Sequence, residues 1–146
     1  MKLISHRGNI VEKCVERENT LPYINSALEA GYDVEIDVWY IREVFMLGHD
    51  APMQVVLPDF LNIDKLWCHA KNIEALQRML NFGIHCFWHE KDIYTITSKG
   101  KIWVYPDQPL IAEAVAVLPE IWKKQQDLTN CYAICSDNIQ KYMRVK

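Results

Sequence analysis

The most informative stretch of the chain is Val34-Glu35-Ile36-Asp37-Val38-Trp39, in which two carboxylates alternate with β-branched and aromatic residues. Residues i and i+2 of a strand face the same side, so Glu35 and Asp37 are predicted to point together. In a parallel sheet both faces are buried, and two buried carboxylates need a compensating cation. Hard divalent ions such as Mg²⁺ or Ca²⁺ take oxygen ligands of this kind. The stretch therefore predicts a strand that carries a metal site, with a solvent-facing edge strand as the alternative.

Short apolar runs of the same kind recur along the chain, and most of them end in a polar or charged cluster. The others are Lys2–Ser5, Val44–Leu47, Leu66–Cys68, Ile84–Trp88, Lys101–Tyr105, Val115–Leu118 and Tyr132–Cys135. Apolar residues at helical spacing predict three helices: Leu21 to Gly31, Ile73 to Leu80, and Ile121 to about Leu128. Thr20 is the predicted N-cap of the first helix, and Gly31 is its predicted stop signal. Eight strands interspersed with helices favour parallel crossover connections, and eight is the strand number of a (β/α)₈ barrel.

The length of the chain limits this barrel, because 146 residues are far fewer than the ~250 that such barrels usually need. Several connections between runs are too short for a full helix. We therefore expect an α/β fold in which residues 1–146 form one domain, a trimmed TIM-type (β/α)₈ barrel with several outer helices replaced by loops. A doubly wound open sheet is the alternative. Missing helices would leave apolar strand surface uncovered, which favours a homodimer.

The composition excludes several classes of protein. A formal net charge of −3 and a pI near 5.9 argue against a nucleic-acid-binding face, and no apolar run approaches the ~20 residues of a membrane span. The start of the chain does not resemble a signal peptide. The five cysteines form no CxxC pair, and three lie in apolar runs, so we expect reduced thiols in a cytoplasmic protein.

Residues capable of chemistry are concentrated at the ends of the predicted strands, where α/β sheets and barrels place their active sites. They are His6, Arg7, Glu35, Asp37, His49, Asp50, His69, Lys71, His89 and Glu90. An arginine fork matches phosphate oxygens, and histidine titrates near neutral pH. Two histidines beside a carboxylate–metal site suit acid/base catalysis, because one takes a proton from the nucleophile while the other protonates the leaving oxygen.

The sequence resembles the glycerophosphodiester phosphodiesterase family, within the broader group of phosphatidylinositol-phospholipase-C-like barrels. The resemblance covers roughly the first third of the chain and thins afterwards. It is carried by Ser5-His6-Arg7-Gly8, Glu18-Asn19-Thr20, Ala30-Gly31-Tyr32-Asp33-Val34-Glu35-Ile36-Asp37-Val38 and Gly48-His49-Asp50, with shorter pieces at Cys68-His69-Ala70-Lys71 and Ile134-Cys135-Ser136-Asp137.

The resemblance implies a TIM-type barrel and a role for each matching residue. His6 and His49 would be the acid/base residues, Arg7 would hold the phosphate, and Glu35 and Asp37 would bind Mg²⁺ or Ca²⁺. Supporting positions would be Glu18, Asn19 and Asp50.

One position departs from the family pattern. The family's third metal ligand is a glutamate two residues before a lysine, and this chain has His69 there, before Lys71. A neutral nitrogen ligand shifts the preference toward Mn²⁺, Fe²⁺ or Zn²⁺. Alternatively, His69 does not bind metal and the affinity is weak.

The chain is shorter than the family's usual barrel, so a shallow, open site is expected. The residues predicted to contact a small phosphodiester substrate are Lys71, His89, Glu90, Trp88, Trp103 and Tyr105, although barrel packing is an alternative role for the aromatic ones. Hydrolysis of a phosphodiester is the favoured function. A binding module that kept the fold and lost turnover is the main alternative. A phospholipid-directed lyase is disfavoured, because no loop looks apolar enough to form the rim that it needs.

Overall fold

The computed structural model describes residues 1–144 as an α/β protein with one ten-stranded sheet and few helices. The strands are β1 (Lys2–His6), β2 (Asp33–Ile41), β3 (Val44–Leu47), β4 (Gln54–Val56), β5 (Leu66–Ala70), β6 (Cys86–Trp88), β7 (Tyr94–Ile96), β8 (Ile102–Val104), β9 (Ala114–Val117) and β10 (Ala133–Ser136). The helices are α1 (Leu21–Glu29), α2 (Pro58–Leu61) and α3 (Ile73–Asn81), with 3-10 turns at Pro119–Ile121 and Ile139–Arg144. The predicted α/β class is confirmed.

Seven of these strands run parallel to one another, in the order β6-β5-β2-β1-β10-β9-β8. Their carboxyl ends therefore share one edge, which is the edge that the sequence predicted for the site. The remaining strands are antiparallel additions: β3 and β4 extend the second half of β2, and β7 pairs with β8.

The prediction that Val44–Leu47 is a parallel barrel strand is wrong. Strand β3 is joined to β2 by a two-residue turn, Arg42-Glu43, and runs antiparallel to β2. Both turn residues have positive φ angles, 49° and 65°, which is the backbone of the tight turns that join hairpin strands. Two residues cannot make a crossover, so the chain reverses here instead.

The ladder of hydrogen-bonded strands does not close into a barrel within residues 1–144, because β6 pairs only with β5. The two ends of the parallel order nevertheless meet. The backbone N–H of Ser98, which follows β7, donates to the Cys86 carbonyl at 2.8 Å, and the Phe87 and Trp103 rings lie 4.6 Å apart. The sheet is therefore curled, with a seam of isolated contacts in place of the last strand pair.

Alternate residues of each strand face opposite sides of this curled sheet. On β2, Val34, Ile36 and Val38 face outward and pack with helices α1 and α3 in one apolar cluster. The intervening Glu35 and Asp37 face inward. The inner face holds a second cluster drawn from six strands: Ile4, Trp67, Phe87, Trp103, Val115, Val117, Ala133 and Cys135. The period of two that the sequence predicted for Glu35 and Asp37 thus places both carboxylates on the inner side.

The first two predicted helices are confirmed, but the third is wrong. After the turn Pro119–Ile121 the chain is irregular, because the side chain of Asp107 accepts hydrogen bonds from the backbone N–H groups of Lys123 and Lys124 at 2.7 and 3.1 Å. Thr20 precedes α1 as expected, yet its hydroxyl donates to the Arg17 carbonyl and caps no helical N–H group.

All five cysteines are free thiols, as predicted. Within residues 1–144, no helix is both long enough and apolar enough to cross a membrane.

Candidate metal and phosphoester site

A cavity of about 490 Å³ opens at the carboxyl edge of the parallel strands. Eleven residues that the sequence singled out line it: His6, Arg7, Glu35, His49, His69, Lys71, Trp88, His89, Glu90, Trp103 and Tyr105. Small-molecule sites usually have volumes of about 300–1,000 Å³, so the cavity has room for a phosphate group and one of its alcohols.

Four other predicted residues lie outside the cavity wall. Asp37 is fully buried beneath it, and Glu18 and Asn19 are buried behind Arg7. The Asp50 side chain is 98% exposed, so the structure gives it no place in the site beyond a 3.6 Å contact with His49.

Three of these side chains could hold a metal ion. Glu35, Asp37 and His69 each offer one ligand atom, and these atoms lie within 4.8 Å of one another. His69 Nδ1 is 3.2 Å from Asp37 Oδ1 and 3.9 Å from Glu35 Oε1. Within the described chain, Glu35 Oε2 and Asp37 Oδ1 are buried oxygens without a hydrogen-bond donor. Buried carboxylate oxygens are seldom left unpaired, and a divalent cation would satisfy both of them.

The hydrogen bond on the far side of His69 fixes which of its nitrogens faces these carboxylates. His69 Nε2 lies 2.9 Å from the backbone carbonyl oxygen of His89. A carbonyl only accepts, so Nε2 carries the hydrogen, and in the neutral ring Nδ1 presents its lone pair to Glu35 and Asp37. The Nδ1 lone pair repels the two carboxylates unless a proton or a metal cation lies between Nδ1 and the carboxylate oxygens. Metal-binding histidines are usually oriented by a second hydrogen bond of this type.

The two carboxylates differ in their surroundings. Burial raises the pKa of Glu35, and the neighbouring charge of Asp37 raises it further. Burial acts in the same direction on Asp37. The hydrogen bond from His49 and the positive charge of Arg7 outweigh that effect and hold the pKa of Asp37 well below its usual range. Asp37 is therefore the fixed anion of the pair.

Arg7 and His49 stand on one side of Asp37. Arg7 Nε lies 3.0 Å from Asp37 Oδ2, Nη1 donates to Glu18 at 3.1 Å, and Nη2 is 3.3 Å from His49 Nε2. His49 Nδ1 is 3.2 Å from Asp37 Oδ2. The turn that carries His49 depends on Gly48, whose φ of 146° and close approach to the Ala51 backbone leave no room for a Cβ.

Behind these residues, Asn19 and Lys71 complete the surroundings of Asp37. Asn19 Nδ2 donates to Asp37 Oδ2, and the Asp37 backbone N–H donates back to Asn19 Oδ1, both at 2.9 Å. Lys71 Nζ lies 3.4 Å from Asp37 Oδ1 and also 3.4 Å from His49 Nδ1. Lys71 therefore places a cation at the cavity wall beside His49.

His6 is held by a residue that sequence reasoning did not include in the site. His6 Nδ1 lies 2.7 Å from Asp137 Oδ1, to which Asn9 also donates at 2.8 Å, and His6 Nε2 lies 3.7 Å from Glu35 Oε2. Burial lowers the pKa of His6, but the hydrogen bond to Asp137 and the charge of Glu35 outweigh burial and raise it. Asp137 directly follows β10, so its place at a strand end was the signal that could have identified it.

The remaining wall of the cavity is apolar, and this corrects the expectation that the site lacks an apolar rim. Tyr105 and Ile121 line the cavity while 48% and 61% of their surface is exposed. They belong to a set of six apolar lining residues: Trp103, Tyr105, Pro106, Val117, Leu118 and Ile121. The rim comes from short segments after β8 and β9, so no long apolar loop is needed to form it.

Comparisons with known proteins found no relative of the chain. Neither the protein-family models, nor the curated proteins, nor the solved structures include a match.

Proposed function

We propose that the chain is a short, divergent member of the glycerophosphodiester phosphodiesterase family that hydrolyses a small phosphodiester with the help of a divalent metal ion. The observation that carries this proposal is the buried group Glu35, Asp37 and His69, with two carboxylate oxygens lacking a donor, beside two histidines and an arginine in one cavity. Metal, cationic and acid/base groups within one cavity suit phosphoryl transfer.

The proposal includes the fold. We take the curled sheet as a trimmed TIM-type barrel, in which the seam between β6 and the segment around Ser98 replaces one strand pair. Its support is the inner apolar cluster, to which strands from both ends of the parallel order contribute. The placement of the cavity at the carboxyl edge agrees with this assignment.

In this proposal each side chain has one task. A metal ion held by Glu35, Asp37 and His69 would supply Lewis-acid polarisation of a phosphoryl oxygen. Arg7 and Lys71 neutralise the charge on the remaining phosphoryl oxygens. The donor set of two carboxylates and one imidazole suits Mn²⁺ or Zn²⁺ as well as Mg²⁺.

His6 and His49 transfer the protons. One of them takes a proton from the attacking hydroxyl, either water or a hydroxyl next to the phosphate, as the new oxygen–phosphorus bond forms. The other gives a proton to the departing alkoxide as the old phosphorus–oxygen bond breaks. The hydrogen bond that His6 Nδ1 donates to Asp137 keeps His6 oriented with Nε2 on the Glu35 side.

A binding module without turnover is the second candidate, and one observation favours it. The Arg7 guanidinium directs Nε, Nη1 and Nη2 at Asp37, Glu18 and His49, so a phosphate must compete with groups already in place. Tight binding of metal and phosphoester without hydrolysis would identify such a module.

The test is hydrolysis of bis(p-nitrophenyl) phosphate by purified protein after chelation, with Mg²⁺, Ca²⁺, Mn²⁺ or Zn²⁺ then added back. We expect turnover to disappear in chelator, to return with at least one metal, and to fall about 100-fold or more in Glu35→Gln. The matched control is Glu74→Gln, an exposed glutamate on α3 that should leave the rate unchanged. Turnover that survives chelation and Glu35→Gln would refute the metal-dependent mechanism.

Replacing His69 by glutamate should shift the metal preference toward hard ions. The added negative charge favours hard ions, so we expect His69→Glu to bind Mg²⁺ or Ca²⁺ at least about tenfold more tightly than the native protein, with a smaller gain for Zn²⁺. Calorimetric titration of each metal into the chelator-treated proteins measures the change. If His69→Ala binds every metal as tightly as the native protein does, His69 is not a ligand.

A further inference from the structure

The cavity is divided into two unlike halves, and the division follows the order of the strands. The groups on the phosphate side lie on strands β1, β2 and β5 or directly after β1 and β3: His6, Arg7, Glu35, His49 and His69. The opposite wall comes from β8, β9 and the segments after them, and it is apolar. In the curled sheet β8 meets β6 across the seam, and the two walls line the same cavity.

Hydrogen bonds hold the backbone of the apolar wall in place. Leu118 has a left-handed backbone, with φ at 47°, and its N–H donates to the Cys135 carbonyl at 2.7 Å. The following turn is tied to β10, because Glu120 accepts hydrogen bonds from the Ser136 hydroxyl at 2.9 Å and from the Asp137 N–H at 2.8 Å. Strained backbone that several hydrogen bonds hold in place is common in segments that bind ligands, because it fixes the positions of the side chains.

A hydroxyl-rich alcohol is a poor match for this wall. The hydroxyls of glycerol or a sugar lose water on entry and need hydrogen-bond partners in return. Trp103, Val117 and Leu118 are a mainly apolar surface, and the polar side chains in this half are His89, Glu90 and the Tyr105 hydroxyl at its margin. An apolar alcohol, by contrast, would cover Tyr105 and Ile121, which are otherwise left facing water.

We propose that the phosphoester held here carries an apolar alcohol, alkyl or aryl, which lies against Tyr105, Leu118 and Ile121. This inference rests on the proposed function for the position of the phosphate group, and it adds the class of alcohol. A small soluble ester and a lipid-like ester both carry such an alcohol. The dependence of binding on the length of the alkyl chain distinguishes the two.

The test measures binding, so that it does not depend on turnover. Methyl, butyl, phenyl, dodecyl and glycerol phosphates are titrated calorimetrically into the Mn²⁺-loaded protein, with the long-chain ester kept below its micelle concentration. Burying a methylene strengthens binding by about threefold, so butyl phosphate, with three more methylenes than methyl phosphate, should bind roughly 30-fold more tightly than methyl or glycerol phosphate. A further gain for the dodecyl ester points to a lipid-like source, and a plateau at butyl or phenyl points to a small ester.

Two isoleucines provide a matched pair of variants, since Ile121 and Ile73 are both 61% exposed and only Ile121 lines the cavity. Ile121→Ser should reduce the advantage of butyl over methyl phosphate about threefold, with methyl phosphate binding changed less than twofold. Ile73→Ser, at the start of α3, should change neither.

Equal or tighter binding of glycerol phosphate, or a butyl advantage insensitive to Ile121→Ser, would overturn the inference. The phosphodiesterase assay tests the proposed function independently of this inference. If the protein hydrolyses the activated diester but binds glycerol phosphate more tightly than butyl phosphate, the proposed function stands and only the inference of an apolar alcohol is wrong.

Discussion

His6→Ala and His49→Ala are each expected to lower phosphodiester turnover by a factor of about 10²–10⁴. Each variant removes one of the two groups that transfer protons at the phosphate. Steady-state rates with bis(p-nitrophenyl) phosphate measure the loss, and circular dichroism shows whether the fold is kept. If both variants retained near-native turnover, the two-histidine mechanism would be wrong.

Exposure of the two histidines allows a sharper test. The His49 side chain is 39% exposed, whereas that of His6 is 10% exposed. Added imidazole should therefore restore part of the activity of His49→Ala and less of that of His6→Ala. The control is His85→Gln, because His85 is buried beside Trp67, away from the cavity wall. Its turnover per folded molecule should match that of the native protein.

The two carboxylates of the metal group should have opposite effects on stability when metal is absent. Asp37→Asn removes the charge that faces Arg7 and Lys71 and should lower the free energy of unfolding by about 3 kcal/mol, because breaking a buried ion pair leaves its partners uncompensated. Glu35→Gln removes a buried charge that repels Asp37, so it should raise the free energy of unfolding by about 1 kcal/mol.

Urea unfolding in excess chelator at pH 7 measures both changes. Asp64→Asn is the control, because the Asp64 side chain is 91% exposed and its replacement should leave the free energy of unfolding nearly unchanged. If Glu35→Gln lowered the free energy of unfolding as much as Asp37→Asn does, Glu35 would be an anion that stabilises the fold and not a metal ligand.

The sequence was sufficient to predict the parts of the site that depend on local pattern. The alternation in β2 placed Glu35 and Asp37 on one face, and the position of His69 after three apolar residues placed it at the end of β5. These features follow from the period of a strand and from the parallel pairing of neighbouring strands, both of which leave a direct trace in the order of residues.

The parts that were missed depend on partners far away in the chain. Asp137 meets His6 across 131 positions, and no local pattern encodes that contact. The irregular segment after Ile121 had helical spacing, but the carboxylate of Asp107 holds its N–H groups from sixteen positions away. In the second case a tertiary hydrogen bond overrides the local helical propensity.

The division of the cavity along the chain separates two kinds of evolutionary change. In the proposed function, the groups that act on the phosphate come mainly from the first seventy-one residues, and the wall that would meet the alcohol comes from residues 103–121. Substitutions in the later segment can alter which alcohol is accepted while the reacting groups keep their positions. On this proposal, the class of ester accepted is open to change through residues 103–121 alone.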